Sequence, residues 1–458
     1  MARILFVYPN REGGPVIPLA ISILSGILKN SGHQTDLFDI TFMMSERLDH
    51  NAREKTGLVD KVDVEKIWGS GDNANVEEEF KKKILFFKPD LVAFTIVENN
   101  YLWAKKLFKL SKEITKAPIV AGGVFPTIVP NFFIEDNHVD LICIGEGEFA
   151  IEELARKIDE GETTAYISNL ITKNNGNIIR NKFSKYYTWE PLVFQDWDIF
   201  DKRHLLKPFM GKMRKTGFFE ISRGCPYDCS YCINHLNQQT FKCLGKYNRE
   251  KPIELAIVEI SHMKMKYDLE LIFFNDENFL TMRKERLGEF REKYVDRINL
   301  PFYIQTRADS LLDEERVKML KDAGCVTIGI GVESGNEEIR KKLLNKNISN
   351  AIYEKAFENC HKYDIRTTAN AMIGLPFETE SNILETAMFL KKLNARSVSL
   401  AIFAPYHGTR LRDLCVENGF IEDKIYEEIG INNSSLLNMP QLSKEKIEEL
   451  YYKFKDLL

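Results

Sequence analysis

Three cysteines lie close together in Ser222-Arg223-Gly224-Cys225-Pro226-Tyr227-Asp228-Cys229-Ser230-Tyr231-Cys232, with the spacing C-x3-C-x2-C. The loop directly follows the apolar run at residues 218–222. Three neighbouring thiolates can ligate three irons of a cubane and leave the fourth iron open. An open iron is what a catalytic cluster needs, because a substrate or cofactor can then bind to it. The alternative is a structural zinc, which needs a fourth protein ligand. His235 and Cys243 are close enough along the chain to be considered for that place. Cys243 otherwise reads as a plain thiol, and Cys143, Cys325, Cys360 and Cys415 fall in apolar contexts expected to be core.

Further groups that could do chemistry recur where apolar runs end. They are Asn275-Asp276-Glu277, Gln305-Thr306-Arg307, Glu333-Ser334, Ile373-Gly374 and Tyr406-His407. Taken singly, each has a structural explanation. An acid after a strand caps the next helix, Gly-Leu-Pro makes a turn, and a loop histidine bonds backbone. Their order behind the cysteine loop argues for one shared site at the carboxyl edge of a sheet, where barrel active sites sit.

The elements that position them follow from periodicity. Strands are predicted at residues 3–8, 34–38, 90–95, 118–122 and 141–144, alternating with helices at 19–29, 75–87, 100–115 and 148–158. Residues 44–75 read as a polar excursion with a short helix. Alternating short strands and helices indicate a doubly wound parallel α/β sheet. The rhythm breaks over 160–215, where 167–180 suggests a hairpin around Asn174-Asn175-Gly176 and 191–200 an extended aromatic connector packed onto a domain. It resumes with strands at 218–222, 271–275, 302–306, 327–332, 367–373 and 397–403. Six strand–helix units suit a partial (β/α)6 barrel. Residues 443–458 form an amphipathic helix with Ser443 as N-cap. The expected division is 1–160, a connector 161–215, a barrel 216–420 and a helical tail 421–458.

The 458 residues are 44% hydrophobic and 28% charged, with a formal net charge of -4. That is the composition of a globular protein, and the basic residues form no patch that calls for nucleic acid. No run reaches a membrane-spanning length, and the start reads as a buried strand rather than a secretory signal. A cytoplasmic protein with reduced thiols is expected, which directs the eight cysteines toward metal or catalysis rather than disulfides.

With these motifs in order, residues 216–415 resemble the radical S-adenosylmethionine (SAM) superfamily. That family carries C-x3-C-x2-C after the first barrel strand with an aromatic residue before the third cysteine, here Tyr231. The resemblance implies a [4Fe–4S] cluster on Cys225, Cys229 and Cys232, with SAM on its open iron. It implies that Asn275, Asp276 and Glu277 meet the methionyl amino group, the working carboxylate being open. Gln305 and Arg307 would meet the SAM carboxylate. Glu333 and Ser334 would bond ribose and amino groups, and Ile373 and Gly374 would line adenine. His407 stands where the family often has a second proline. With Tyr406 it is a candidate catalytic group, a proton carrier near neutral pH.

The first 160 residues resemble the Rossmann-like, flavodoxin-like cobalamin-binding domain that precedes many such barrels. The matching features are the loop 9–18 with Asn10, Arg11 and Pro18, then Thr95, the segment Gly122-Gly123-Val124-Phe125-Pro126-Thr127, and Gly145-Glu146-Gly147-Glu148. All follow predicted strands, at the edge where open α/β sheets bind ligands. Glycines there admit a large planar corrin, and Thr95 is placed to line a slot for its nucleotide tail. The Asp-x-His-x-x-Gly motif whose histidine ligates cobalt in other cobalamin proteins is missing, and Asp136-Asn137-His138 does not supply it. A residue or a water held by the 9–18 loop is expected beneath the metal, with Asn10 or Arg11 as candidates.

The resemblance implies a cobalamin-dependent radical SAM enzyme, a methyltransferase of the class B type. One SAM would methylate cobalamin, and a second would supply a 5'-deoxyadenosyl radical. The substrate radical would then take the methyl group from methylcobalamin. The rival within the family is a cyclase or oxidoreductase that uses cobalamin without methyl transfer. The expected partners are a flavodoxin- or ferredoxin-type electron donor and a small-molecule or lipid substrate rather than a peptide, with no nucleic acid.

Overall fold

The computed structural model describes residues 1–10, 14, 16–43, 54–58, 62–69, 75–174, 176–426 and 432–458. Arg11, most of the 44–75 excursion and Asn175 of the expected hairpin turn lie outside them. The chain divides into two compact units. The first holds residues 1–47, 63–205 and 243–245, and the second 48–62, 206–242 and 246–458.

In the first unit the elements are β1 (Arg3–Tyr8), α1 (Leu19–Asn30), β2 (Gln34–Asp39), α2 (Val76–Phe87), β3 (Leu91–Thr95), α3 (Tyr101–Ile114), β4 (Ile119–Gly122), β5 (Leu141–Cys143) and α4 (Glu148–Glu160). A hairpin of β6 (Leu170–Asn174) and β7 (Asn177–Arg180) follows. The sheet order is β2-β1-β3-β4-β5-β6-β7, parallel through β5 and antiparallel beyond it. The inner strands are continuous apolar runs because helices cover both faces. Ile4, Leu5 and Val7 of β1 have no exposed surface. Asn75 begins α2 by accepting from the Glu77 and Glu78 N–H groups, with three glutamates in the first turn to suit the helix dipole.

The connector over 191–200 is laid along α1. Ser25 Oγ donates to Asp196 Oδ2 at 2.6 Å, Ser22 Oγ to Gln195 Oε1 at 2.8 Å, and Asp196 N to Ser22 O at 2.8 Å. A Cβ at Gly26 would strike the Phe194 carbonyl, so a helix-weakening glycine is needed for this close approach.

The second unit begins with a hairpin, β8 (Leu206–Phe209) and β9 (Lys212–Phe219). It continues through α5 (Asn234–Thr240), α6 (Ile253–Tyr267), β10 (Leu271–Phe274), α7 (Lys284–Arg297), β11 (Phe302–Thr306), α8 (Glu314–Ala323) and β12 (Cys325–Glu333). Then come α9 (Asn350–Lys362), β13 (Arg366–Ile373), α10 (Glu380–Leu393), β14 (Ser397–Ile402), α11 (Arg410–Glu417) and α12 (Lys444–Leu457). The sheet order β14-β13-β12-β11-β10-β9-β8 places six parallel strands beside one antiparallel edge strand. This is the expected partial barrel, open between β14 and β8. Ser443 caps α12, accepting from Lys446 N at 3.3 Å.

Residues 161–215, read as one connector, are shared between the units. The 170–180 hairpin extends the first sheet, and 206–209 forms the edge of the second. The β8–β9 hairpin was not foreseen. Its turn, Met210-Gly211, has positive φ at both residues, 52° and 72°, and methionine is a poor signal for that conformation. Pro208 in β8 is tolerated because the strand lies at the edge.

Candidate cofactor sites

Every expected residue of the second unit lies at or just beyond the carboxyl end of a parallel strand. The cysteine loop is fastened on several sides. Ser222 and Arg223 pair with Glu250 and Arg249. Gln238 Nε2 on α5 donates to the carbonyls of Cys225 and Tyr227 at 2.8 and 2.9 Å. Asn345 donates to Asp228 O at 2.7 Å, and Ser230 N to Leu344 O at 3.0 Å. Gly224 holds φ at 83° with its N–H on Glu277 Oε2 at 3.1 Å, and a Cβ there would lie 2.5 Å from Tyr247 O.

Burial pushes the Cys225 thiol up to about 11, with Cys232 and Cys229 adding to the rise. Cys232 is raised too, first by burial and further by Cys229. Crowded, partly buried sulfurs are poor places for unpaired negative charge, and cationic irons bound to them would offset that cost. His235, weighed as a zinc ligand, turns Nδ1 to Cys232 O at 2.5 Å, and Cys243 is exposed. Among the described residues no three His, Cys, Asp or Glu side chains close on one point as ligands of a single ion would. A cubane spreads its thiolates over separate corners.

Glu333 ends β12 in the left-handed region, φ 68°, where the register to β13 shifts. Its Oε1 accepts from Tyr231 OH at 3.1 Å and pairs with Lys346 Nζ at 2.8 Å. Lys346 is 3% exposed and also donates to Gly331 O at 2.7 Å. Burial pulls the Lys346 ammonium down, but Glu333 and its other neighbours outweigh it and the net shift is upward. Tyr231 is raised well above its usual value, first by burial and then by Glu333. Sequence reasoning missed Lys346, which follows Glu333 only after a π-helical turn at Ile339–Leu343.

Other expected residues are placed differently from their sequence reading. Asp276 is buried, accepting from Ser222 Oγ at 2.5 Å and Ile221 N at 3.2 Å. These bonds fasten the chain at the start of the cysteine loop, and burial raises the Asp276 carboxyl to about 7. Glu277 and Asn275 are the accessible members of that segment, and loss of hydration is the main cause that pushes the Glu277 carboxyl up. Ser334 has no exposed surface. Its hydroxyl accepts from Asn336 N and lies beside Thr386, which turns it away from the mouth. Arg307 is bound to Asp309. Gln305 is accessible.

Ile373 and Gly374 are buried, and the Gly374 N–H is spent on Glu378 Oε2 at 2.7 Å. Glu378, also unforeseen, is buried, with Oε1 unpartnered and its carboxyl raised by burial to about 8. His407 is buried and Tyr406 half-buried in a segment tied by Thr409 Oγ1 to Tyr406 O at 2.7 Å and Arg412 Nη1 to Pro405 O at 2.9 Å.

In the first unit an apolar cavity of about 110 Å³ lies beside α1, α4 and the carboxyl halves of β3–β5. Thr95, Gly122, Gly123, Gly145 and Gly147 are in its wall, five of the residues singled out from sequence. Gly123 has φ 104°, and a Cβ there would sit 2.7 Å from Ile96 O. Thr127 Oγ1 ties the two glycine turns together, donating to Gly123 O at 2.8 Å and accepting from Gly145 N at 3.0 Å. Val97 and Val124, just beyond β3 and β4, expose 47% and 46% of their surface, and Val97 is outside the residues expected from sequence.

Phe125 and Pro126 are instead buried, Phe125 against Tyr101 and Phe133. The Glu146 carboxylate takes Tyr187 N–H at 2.9 Å, Glu148 is buried at the start of α4, and Pro18 precedes α1. Asn10 is drawn inward. It donates to Thr41 Oγ1 at 3.0 Å, in a chain that runs through Asp39 to buried His204. This position does not suit the open metal-facing role expected of it.

Two family models match without overlap. The radical SAM superfamily model covers residues 219–390, and the B12 binding domain model covers 11–155. The chain belongs to the radical SAM superfamily, in its B12-domain-bearing form. An uncharacterized methyltransferase of Pyrococcus horikoshii is 26% identical over 89% of this chain and 83% of its own length. The anaerobic magnesium-protoporphyrin IX monomethyl ester cyclase of Rubrivivax gelatinosus is 23% identical over 88% and 68%. The solved TsrM methyltransferase of Kitasatospora setae, with cobalamin and a [4Fe–4S] cluster bound, shares the fold. Its TM-score is 0.66, with 18% identity over 91% of this chain and 78% of that one.

This radical SAM protein is a cobalamin-dependent enzyme, and its cofactors are a [4Fe–4S] cluster, SAM and cobalamin. The residues present fit all three. Three clustered cysteines offer sulfur ligands for iron, a buried carboxylate–ammonium pair stands beside the cysteine loop, and glycine turns wall an apolar cavity. No described helix is long and apolar enough to cross a membrane.

Proposed function

We propose that this enzyme transfers a methyl group from cobalamin to a carbon atom of its substrate. When bound, the cluster and SAM supply one-electron chemistry at carbon and cobalamin carries the methyl group. The observation that supports the SAM site most directly is the ion pair of Glu333 and Lys346 next to Tyr231 of the cysteine loop. SAM presents an ammonium and a carboxylate on one carbon. Glu333 has the charge to accept from the first and Lys346 the charge to donate to the second, so a zwitterion can replace their mutual contact without leaving either charge unpaired. In this reading Cys225, Cys229 and Cys232 hold the cluster. Glu277, Asn275 and Gln305 are the accessible polar groups for the rest of SAM. The 373–377 turn, held by Glu378, borders adenine.

In the first unit Thr95 and the glycine-walled cavity take the nucleotide tail of cobalamin, with Val97 and Val124 against the corrin. Tyr406 and His407, on the sixth-strand segment, are the candidate catalytic groups toward the substrate. The likeness to a methyltransferase over most of both chains supports methyl transfer. A second reading, ring closure without methyl transfer, is favoured by the cyclase likeness. The two are separated by incubating the anaerobic reduced enzyme with methyl-labelled SAM and a cell extract. Methyl transfer yields S-adenosylhomocysteine together with 5'-deoxyadenosine and puts label into product. Deoxyadenosine with neither of the others refutes it.

A further inference from the structure

The sequence marks Arg307 as a cation for the SAM carboxylate, yet its surroundings point elsewhere. Nε and Nη2 are taken up by the Asp309 carboxylate at 3.2 and 3.0 Å. The guanidinium carbon lies 3.7 Å from the ring centroid of Tyr227, inside the cysteine loop. Fixed by these two contacts, Nη1 is turned to Cys229 Sγ at 4.0 Å. The Arg307 side chain is only 13% exposed, and Cys229 is buried.

We propose that Arg307 tunes the reduction potential of the cluster by donating Nη1–H to the Cys229 thiolate. The inference rests on the three cysteines holding the cluster. On reduction the cluster gains one negative charge, part of which spreads onto its sulfurs. A fixed cationic donor therefore stabilises the reduced form more than the oxidised one, and the potential rises. The half-buried setting limits screening by water. The geometry requires arginine, because a planar fork can bind Asp309 with one edge, stack on Tyr227 with its face and still present a third N–H. Lysine keeps the charge but has no such plane. In the proposed reading Lys346, paired with Glu333, meets the SAM carboxylate, which leaves Arg307 free of it.

The test compares the full chain with Arg307→Lys and Arg307→Met, each reconstituted anaerobically and measured without SAM. Iron and sulfide contents establish the cluster, and titration with a low-potential chemical reductant, followed by electron paramagnetic resonance, reads its potential. In Arg307→Met the reduced-to-oxidised ratio at a fixed potential should fall about tenfold, which is about 59 mV for one electron. Arg307→Lys should fall less, and both should bind SAM within about threefold of wild type. If Arg307→Met fails to keep its cluster, the smaller fall in Arg307→Lys carries the test. Unchanged potentials with full iron overturn the proposal. So does weakened SAM binding at unchanged potential, which would return Arg307 to the SAM carboxylate. A wild-type chain that takes up no cluster fails the cysteine reading itself.

Discussion

Glu333 and Lys346 are the sharpest place to perturb this enzyme. At 2.8 Å, with side chains 12% and 3% exposed, the pair attracts by roughly 6 kcal/mol at an effective dielectric of about 20. Loss of hydration on both groups cancels much of that attraction, so the pair's net worth is small. Breaking it is different. Glu333→Gln leaves the Lys346 ammonium buried with only neutral acceptors, Gly331 O and the glutamine amide oxygen, and no counter-charge, and should cost about 3–5 kcal/mol. Lys346→Met leaves Glu333 with the Tyr231 hydroxyl and slightly more water, and should cost somewhat less, about 2–3 kcal/mol. The double variant removes both charges, so its cost should fall short of the sum by about 2 kcal/mol or more. Urea unfolding of the four proteins under anaerobic conditions, followed on the barrel transition, closes the cycle. SAM affinity is read on the same set by equilibrium dialysis. Glu333→Gln should weaken SAM by about ten- to a hundredfold, the value of one charge-assisted hydrogen bond. Additive costs, with coupling below about 0.5 kcal/mol, would refute the argument. SAM affinity unchanged in all three variants would detach the pair from the cofactor.

Other outcomes follow from the same geometry. Alanine at Cys225, Cys229 or Cys232 should each abolish the cubane, while Cys243→Ala leaves iron and sulfide unchanged, and a full cluster in any of the first three contradicts the ligand set. Gly147→Leu is a cleaner test of the cobalamin cavity than any change at Gly123, because Gly147 has φ -96° and its Cβ would meet only side chains at 3.5 Å or more. The leucine should fill the cavity and abolish cobalamin retention on gel filtration with iron content intact, and retained cobalamin would remove the tail from that pocket. Glu378 titrates near 8 when folded and near 4.5 when unfolded, so the unfolded chain loses its proton first and stability falls as pH rises between those values. Between pH 6 and 8 wild type should lose about 2 kcal/mol relative to Glu378→Gln, whose side chain does not titrate, and parallel pH profiles of the urea midpoint would show that the carboxyl is not held neutral.

Parts of this protein were legible because they are local. The cysteine spacing spans eight consecutive residues, so its chemistry survives any arrangement of the rest of the chain. The period of apolar residues marked every parallel strand of both sheets, since an inner strand must be apolar on both faces whatever its neighbours. Strand order then brought the carboxyl ends to a common edge. Thr95 and the glycines at 122, 123, 145 and 147 could be chosen on that ground, and they do share one cavity wall.

What sequence could not decide was where each side chain at that edge would point. Arg307 had to choose among Asp309 two residues away, Tyr227 and Cys229 in a loop about eighty residues earlier, and a ligand. The fold settled on Asp309, Tyr227 and Cys229 together by bringing that loop to the end of β11. Glu333 could not be paired with Lys346 by inspection, because a π-turn lies between them and helical or strand spacing gives no guidance across it. Asp276 and Glu277 are adjacent acids with the same local context. Only the fold of the chain at Ile221 and Ser222 sent one inward to pin the loop and left the other at the mouth. Residue types and their period determine which groups can do chemistry and which edge they reach. The partner each one takes is a contact between distant segments, and only the tertiary structure, by deciding which segments meet, determines it.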